Sequence, residues 1–162
     1  MEIKNILEEH YPQIAEIYLE GIATGNATYE TKAPTWSDWD KAHLQHSRLA
    51  IFENNEMAGW AALSPVSSRC VYGGVGEVSI YMSSRFRGKG LGELLFRELI
   101  KQSEENGLWT LQSGIFPENI GSIKLHEKCG FRHLGVREKI GKMNGIGRDN
   151  IVMERRSKIV GV

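Results

Sequence analysis

Residues 79–95 read SIYMSSRFRGKGLGELL, a run whose residue types suit the binding of a phosphate. A strand pattern empties into Arg87-Gly88-Lys89-Gly90-Leu91-Gly92, and a strongly periodic helix begins at once. Alternate glycines let a ligand approach the main chain and permit φ > 0 where a side chain would clash. The first N–H groups of a helix lack intrahelical partners, and the helix dipole makes that end electropositive. Such an end seats a phosphate or diphosphate. Arg85, Arg87 and Lys89 add positive charge beside it. A plain tight turn is the bland alternative, but glycine spacing, basic residues and an immediate helix rarely coincide. A P-loop needs GxxxxGK followed by Ser or Thr, and no Lys-Ser or Lys-Thr follows this turn. A dinucleotide fold needs GxGxxG near the start of a βαβ unit, whereas these glycines run GxGxG in mid-chain.

Other chemistries find little support. His10, His43, His46 and His133 form no HxH, HExxH or Cys/His cluster, so no metal site is expected. No GxSxG elbow is present, which argues against a serine hydrolase. Cys70 and Cys129 are too few for a disulfide framework and form no CxxC pair, so both read as reduced thiols. Twenty basic and twenty acidic residues cancel, so no overall field draws the chain to nucleic acid or a membrane surface. An anionic partner must be held by a local device. Met1 to Leu7 carries two charges and no apolar h-region, and no apolar run approaches a membrane span. A cytoplasmic protein is the expectation.

The 162 residues suit one domain spanning 1–162. Residues 2–7 alternate well enough for a first strand. Ile14, Ile17, Tyr18 and Ile22 place a helix over residues 10–24, with Gly25 as its stop. Residues 26–35 read as a loop, and Thr35 caps a second helix through Trp36, Trp39 and Leu44. Residues 49–52 and 57–63 form a hairpin around Asn54-Asn55, and residues 64–76 form a loop. A strand at 77–82 precedes the helix at 91–106, whose apolar positions are Leu91, Leu94, Leu95 and Leu99. A strand at 109–116, a short helix at 119–129 and strands at 131–137 and 150–155 follow, the last two joined by a glycine-rich turn. Paired strands cluster late in the chain, so the fold is α/β with a mixed sheet.

Arg87-x-x-Gly90-x-Gly92 after a strand resembles the coenzyme A diphosphate loop of the GNAT acyltransferases, whose motif is Q/R-x-x-G-x-G/A. Residues 119–131, NIGSIKLHEKCGF, resemble that family's later helix and the strand after it. The resemblance implies one N-acetyltransferase domain: a mixed, mostly antiparallel sheet, splayed at the cofactor site and flanked by helices. A narrower likeness to the phosphinothricin and methionine-sulfoximine N-acetyltransferases covers nearly the whole chain. It rests on Thr28-Tyr29-Glu30-Thr31, Thr35 and Trp39, and on the spacing of Arg69, Tyr72 and Glu77-Val78-Ser79. It implies Tyr29, Ser67, Ser68, Arg69, Tyr72 and Glu77 to Ser79 around the acceptor. It further implies Ile80, Tyr81, Met82 and Arg87 to Glu93, including Lys89 and Leu91, around acetyl-coenzyme A, with Asn119 at its pantetheine arm. Such enzymes are typically homodimers. They usually carry a bulky residue near Gly145 to Asp149, where this chain has Gly147 and Arg148.

A thioester is already activated, so the protein has only to position it, deprotonate the amine and stabilise a transient oxyanion. Glu77 is the candidate base and the Ile80 amide the candidate oxyanion donor. A carboxylate lies about 3.5 pKa units below an α-amine and about 6 below a lysine-like amine, so the α-amine is the easier acceptor. His126 stands where many GNAT enzymes carry a Tyr that protonates the departing thiolate, a step imidazole could also perform. Arg69 could clamp an acceptor carboxylate or phosphinate with its planar fork. Two other readings stay open: a polyamine, aminoglycoside or protein amine as acceptor, or a catalytically silent acyl-coenzyme A sensor.

Overall fold

The computed structural model describes residues 1–162. The chain runs β1 (Glu2–Asn5), α1 (Tyr11–Thr24), α2 (Trp36–Ala42), β2 (Leu49–Glu53), β3 (Glu56–Pro65) and β4 (Val75–Met82). It continues through α3 (Leu91–Glu105), β5 (Thr110–Ile115), α4 (Ile120–Lys128), β6 (Arg132–Met143) and β7 (Ile146–Arg156). Strand alternation decides how these elements layer, because successive side chains leave a sheet on opposite faces. Leu49 and Ile51 of β2, with Ala61 and Leu63 of β3, enter one core with Leu91, Leu95 and Leu99 of α3. Ala50 and Phe52 of β2, with Trp60 and Ala62 of β3, enter a second core with Ile14 and Ile17 of α1 and Trp39 of α2. Helices therefore cover both faces. Each fully buried leucine contributes roughly 1.5–3 kcal/mol of apolar transfer.

The sheet order is β1-β2-β3-β4-β5-β7-β6. Every neighbouring pair is antiparallel except β4 with β5. That parallel pair has only three rungs: Val75 with Thr110, Gly76 with Leu111, and Glu77 with Gln112. Beyond Glu77 the two strands part. The mixed, mostly antiparallel, splayed sheet expected above is the one observed.

Local signals set several boundaries. The Thr35 hydroxyl accepts the Asp38 amide at 3.2 Å and caps α2. Asn54 and Asn55 both take positive φ, 53° and 64°, as the two-residue hairpin turn requires. Other boundaries move. β1 ends at Asn5 rather than Leu7. α2 ends at Ala42, short of Leu44, whose amide is taken by the Leu63 carbonyl. β4 begins at Val75 and β3 continues to Pro65, so the loop expected at 64–76 shortens from both ends. The largest difference lies in β6 and β7, which run to a tight Asn144-Gly145 turn instead of a long glycine-rich one. β6 is exposed along nearly its whole length, so it carries no buried alternation to read.

Candidate active site

The parting of β4 from β5 opens a cleft of about 770 Å³ between them, the start of α3 and one side of α4. The Ser83 amide donates to the Ala58 carbonyl at 2.8 Å, so this end of β4 points its peptide groups toward β3 at Ser83. Peptide groups along a strand alternate in direction. Tyr81 and Ser79 therefore also face β3, while Met82, Ile80 and Val78 present theirs to the opened side.

At the far end of the cleft the Arg87–Gly92 turn has the geometry a diphosphate needs. Gly88 and Gly90 take φ of 79° and 75°, and no atom lies within 4 Å of where a Cβ would stand on either. Gly90 is the N-cap of α3 and carries no side chain to satisfy the first amides of the helix. Gly92 differs: it is helical, with the nearest atoms to an added Cβ at an ordinary 3.5 Å. Backbone freedom is thus needed at two of the three glycines. Arg87 and Lys124 line the cleft without a carboxylate partner, while Lys128 pairs with Glu93 at 3.1 Å. Lys128, followed by Arg97, holds the Glu93 carboxyl below the usual carboxylate range. Uncapped amides, an open left-handed turn and unpaired cations fit the diphosphate of coenzyme A.

Of the expected cofactor residues, Ile80, Tyr81, Met82, Arg87, Gly88, Gly90, Leu91, Gly92, Glu93 and Asn119 line this cleft. Lys89 does not, and its ammonium pairs with Glu53 at 3.4 Å. Asn119 caps α4 by accepting the Ser122 amide at 3.2 Å.

His126 also lines the cleft, yet it is only 2% exposed and committed on both nitrogens. Nδ1 lies 2.7 Å from the Ser122 carbonyl, which can only accept, so Nδ1 carries the hydrogen. Nε2 is then an acceptor, 2.8 Å from the Ser113 hydroxyl. Phe96 and Phe131 pack edge-on against the ring. Burial pushes its pKa down to about 4, against a smaller opposing effect of the Ser122 carbonyl. The ring is neutral near pH 7.

On the other face of the sheet lies a second cavity of about 740 Å³. It shares Ala27, Val78, Ser79, Tyr81, Ser113, Gly114 and Phe116 with the first, so the two meet where the strands part. Glu77 and Tyr29 line only the second cavity. Glu77 is exposed and has no ion pair or side-chain hydrogen bond within the protein. Tyr81 stacks on Trp60 at 5.1 Å and meets Tyr18 edge-on at 4.9 Å. Burial raises its hydroxyl pKa, so it stays protonated. Lys32 and Arg137 are the cations of this cavity, and neither has a carboxylate partner.

Ser67, Ser68, Arg69 and Tyr72 stand apart from these residues. They lie on the exposed loop before β4 and line neither cavity. The Arg69 guanidinium rests 5.7 Å from the Tyr72 ring centre, and its amide donates to Ser67 Oγ at 3.1 Å. Within the chain, this loop is held by its own side chains rather than turned into the cavities.

Several residues of the site went unread in the sequence. Ser113 gave no signal, since its meaning lies in a bond to a helix 13 residues later. Trp39 and Trp60 pack in the core beside α1 and also wall the second cavity. Their indole N–H groups are buried with no acceptor in the protein. The YxxxxxxY spacing of Tyr11 and Tyr18 on α1, with both facing that cavity, could have been recovered from helical periodicity.

No group of three or more His, Cys, Asp or Glu side chains is arranged to hold a metal ion. No helix is long and apolar enough to cross a membrane. The profile of the Acetyltransferase (GNAT) family matches residues 4–131. The chain is 31% identical over 149 residues to an L-methionine sulfoximine/L-methionine sulfone acetyltransferase of Pseudomonas aeruginosa, covering 88% of this chain and 87% of that one. It is 26% identical over 153 residues to a phosphinothricin N-acetyltransferase of Streptomyces coelicolor, covering 90% of each. Its fold matches the crystal structure of a phosphinothricin acetyltransferase from Sinorhizobium meliloti in complex with acetyl-coenzyme A. There the TM-score is 0.84 at 25% identity, covering 99% of this chain and 95% of the other.

Proposed function

The chain belongs to the acetyltransferase (GNAT) family and is an acetyl-coenzyme A-dependent N-acetyltransferase, and we propose that its acceptor is the α-amine of a small amino-acid-like molecule of the phosphinothricin, methionine sulfoximine or methionine sulfone type. The observation that carries this reading is the meeting of two cavities at the parted strands, with Glu77 lining the one opposite the diphosphate turn. Acetyl-coenzyme A supplies an acyl group already activated as a thioester.

The chain's own residues then have three tasks. The Gly88–Gly90 turn, the first amides of α3, Arg87 and Lys124 hold the diphosphate. The outward peptide groups of Val78, Ile80 and Met82 orient the acyl arm, with the Ile80 N–H as the donor to developing oxyanion charge. Glu77 takes the proton from the amine, directly or through one water. His126 is proposed to brace Ser113 and α4 rather than to donate a proton, because its Nδ1 hydrogen is spent on a carbonyl. An ammonium acceptor sheds two protons on becoming an amide, so one passes to Glu77 and the other balances the departing thiolate by way of water.

Acceptor size and chemistry also favour this reading. Tyr18, Trp60 and Tyr81 enclose an apolar body. Lys32 and Arg137 suit a carboxylate. For the homodimer implied by resemblance, the exposed Leu134, Val136, Ile140 and Ile146 of β6–β7 offer a partner face. Mass measurement in solution tests it.

The acceptor assignment is tested by following thiol release with methionine sulfone, phosphinothricin, spermidine and an aminoglycoside. Turnover confined to the first two supports it, and preference for a polycation overturns it.

A further inference from the structure

Arg148 touches neither cavity, yet it is tied to the segment that walls both. Its Nη1 donates to the Gly25 carbonyl at 2.9 Å and its Nη2 donates to Asn26 Oδ1 at 2.8 Å. Its own carbonyl accepts the Tyr29 hydroxyl at 3.4 Å. The guanidinium lies 4.3 Å from the centre of the Phe116 ring and 3.5 Å from Glu118, and its side chain is 18% exposed. Phe116 in turn meets Tyr29 edge-on at 4.8 Å.

These contacts converge on residues 25–35, which hold no helix or strand. Asn26 and Ala27 from this segment line the coenzyme cleft, while Ala27, Tyr29, Glu30 and Lys32 line the acceptor cavity. An irregular segment keeps one shape only if its ordering entropy is offset by specific bonds. Arg148 supplies two from its side chain and one from its backbone, from a strand 122 residues away.

We propose that Arg148 is a positioning residue that holds residues 25–30 as the common wall between coenzyme cleft and acceptor cavity. The role suits arginine because a planar fork reaches two acceptors at once, whereas lysine offers a single point charge. The inference rests on the acceptor reading above, and it concerns the acceptor side of the reaction.

The test compares Arg148→Ala and Arg148→Lys with the parent chain, using methionine sulfone as the probe. Misplacing a reacting group by about an ångström can cost about a hundredfold in rate. Arg148→Ala should raise the KM for methionine sulfone about tenfold or more, raise the KM for acetyl-coenzyme A by a clearly smaller factor because the diphosphate turn lies outside the clasp, and speed amide hydrogen exchange across residues 25–35. Arg148→Lys should fall between. An unchanged acceptor KM, or a parallel rise in both KM values with a fall in Tm, would overturn the proposal. Should Arg148→Ala fail to fold, Asn26→Ala removes one limb of the clasp, and an acceptor KM equal to the parent's then counts as refutation. If the parent chain releases no thiol with methionine sulfone or phosphinothricin, the acceptor reading has failed instead. Hydrogen exchange still decides the clasp in that case: unchanged exchange in Arg148→Ala overturns it, and faster exchange supports it.

Discussion

The Ser113 hydroxyl donates its hydrogen to Nε2 of His126 across 2.8 Å, because the other ring nitrogen is already spent on the Ser122 carbonyl. One bond thereby joins β5, where the two cavities meet, to α4, whose cap is Asn119. The Ser122 carbonyl, an acceptor only, fixes the tautomer of a ring that is almost wholly buried.

That ring should leave a mark on stability against pH. Its folded pKa, about 4, lies below the ordinary histidine value near 6.5. Between those values the unfolded chain binds a proton that the folded chain refuses, so stability is complete above about 6.5 and falls as pH drops toward about 4. The full loss amounts to about 3 kcal/mol. His43 and His46, also lowered by burial, act in the same direction. In His126→Gln, thermal melts from pH 7 to 4 should therefore slope less steeply than in the parent chain. Parallel slopes would show that burial does not perturb His126.

Glu77→Gln should lower kcat by about a hundredfold or more, the usual reach of a general base, and leave the KM for acetyl-coenzyme A within about twofold. Glu77 lines the acceptor cavity and not the coenzyme cleft, so the two effects separate. Steady-state kinetics with either substrate varied measures both. Undiminished turnover removes Glu77 from the mechanism.

The glycines of the turn should respond unequally. Gly90 holds a φ of 75°, where a side chain costs about 1–2 kcal/mol. Gly90→Ala should therefore weaken acetyl-coenzyme A binding by about tenfold, as read by calorimetry. Gly92 is helical and has room for a methyl group. Gly92→Ala should bind as the parent chain does.

The candidate anchors for an acceptor carboxylate can be told apart. Arg137 lines the acceptor cavity without a partner, whereas Arg69 lies over Tyr72 on an exposed loop. Arg137→Ala should raise the acceptor KM by about tenfold, in keeping with the loss of one charge-assisted contact, and Arg69→Ala should change it less. The reverse order would assign the anchor to the loop.

The diphosphate turn was legible because everything it needs is local: two left-handed glycines, a following helix and adjacent cations lie within a few residues of one another. The same holds for the Thr35 cap and the Asn54-Asn55 turn. What stayed hidden depends on partners distant in sequence. Nothing near Ser113 announces His126, and nothing near Arg148 announces Asn26. The first half of β6 was legible as the strand expected at 131–137; its continuation through residues 138–143 was hidden for a different reason. Its residues face solvent, so the apolar alternation that betrays a half-buried strand was never written into them. Arg69 illustrates a further limit: its residue type suits an anchor, but the loop that carries it lines neither cavity within the chain.

The three-rung junction of β4 with β5 has one more implication. A groove read out by peptide N–H and C=O groups is indifferent to which side chains hang from the strand behind it. Val78, Ile80 and Met82 pack their side chains against the core beneath α3 while they line the cleft. A substitution at those positions is therefore felt first through packing volume. The chain can exchange most of its letters while the shape of the seam persists.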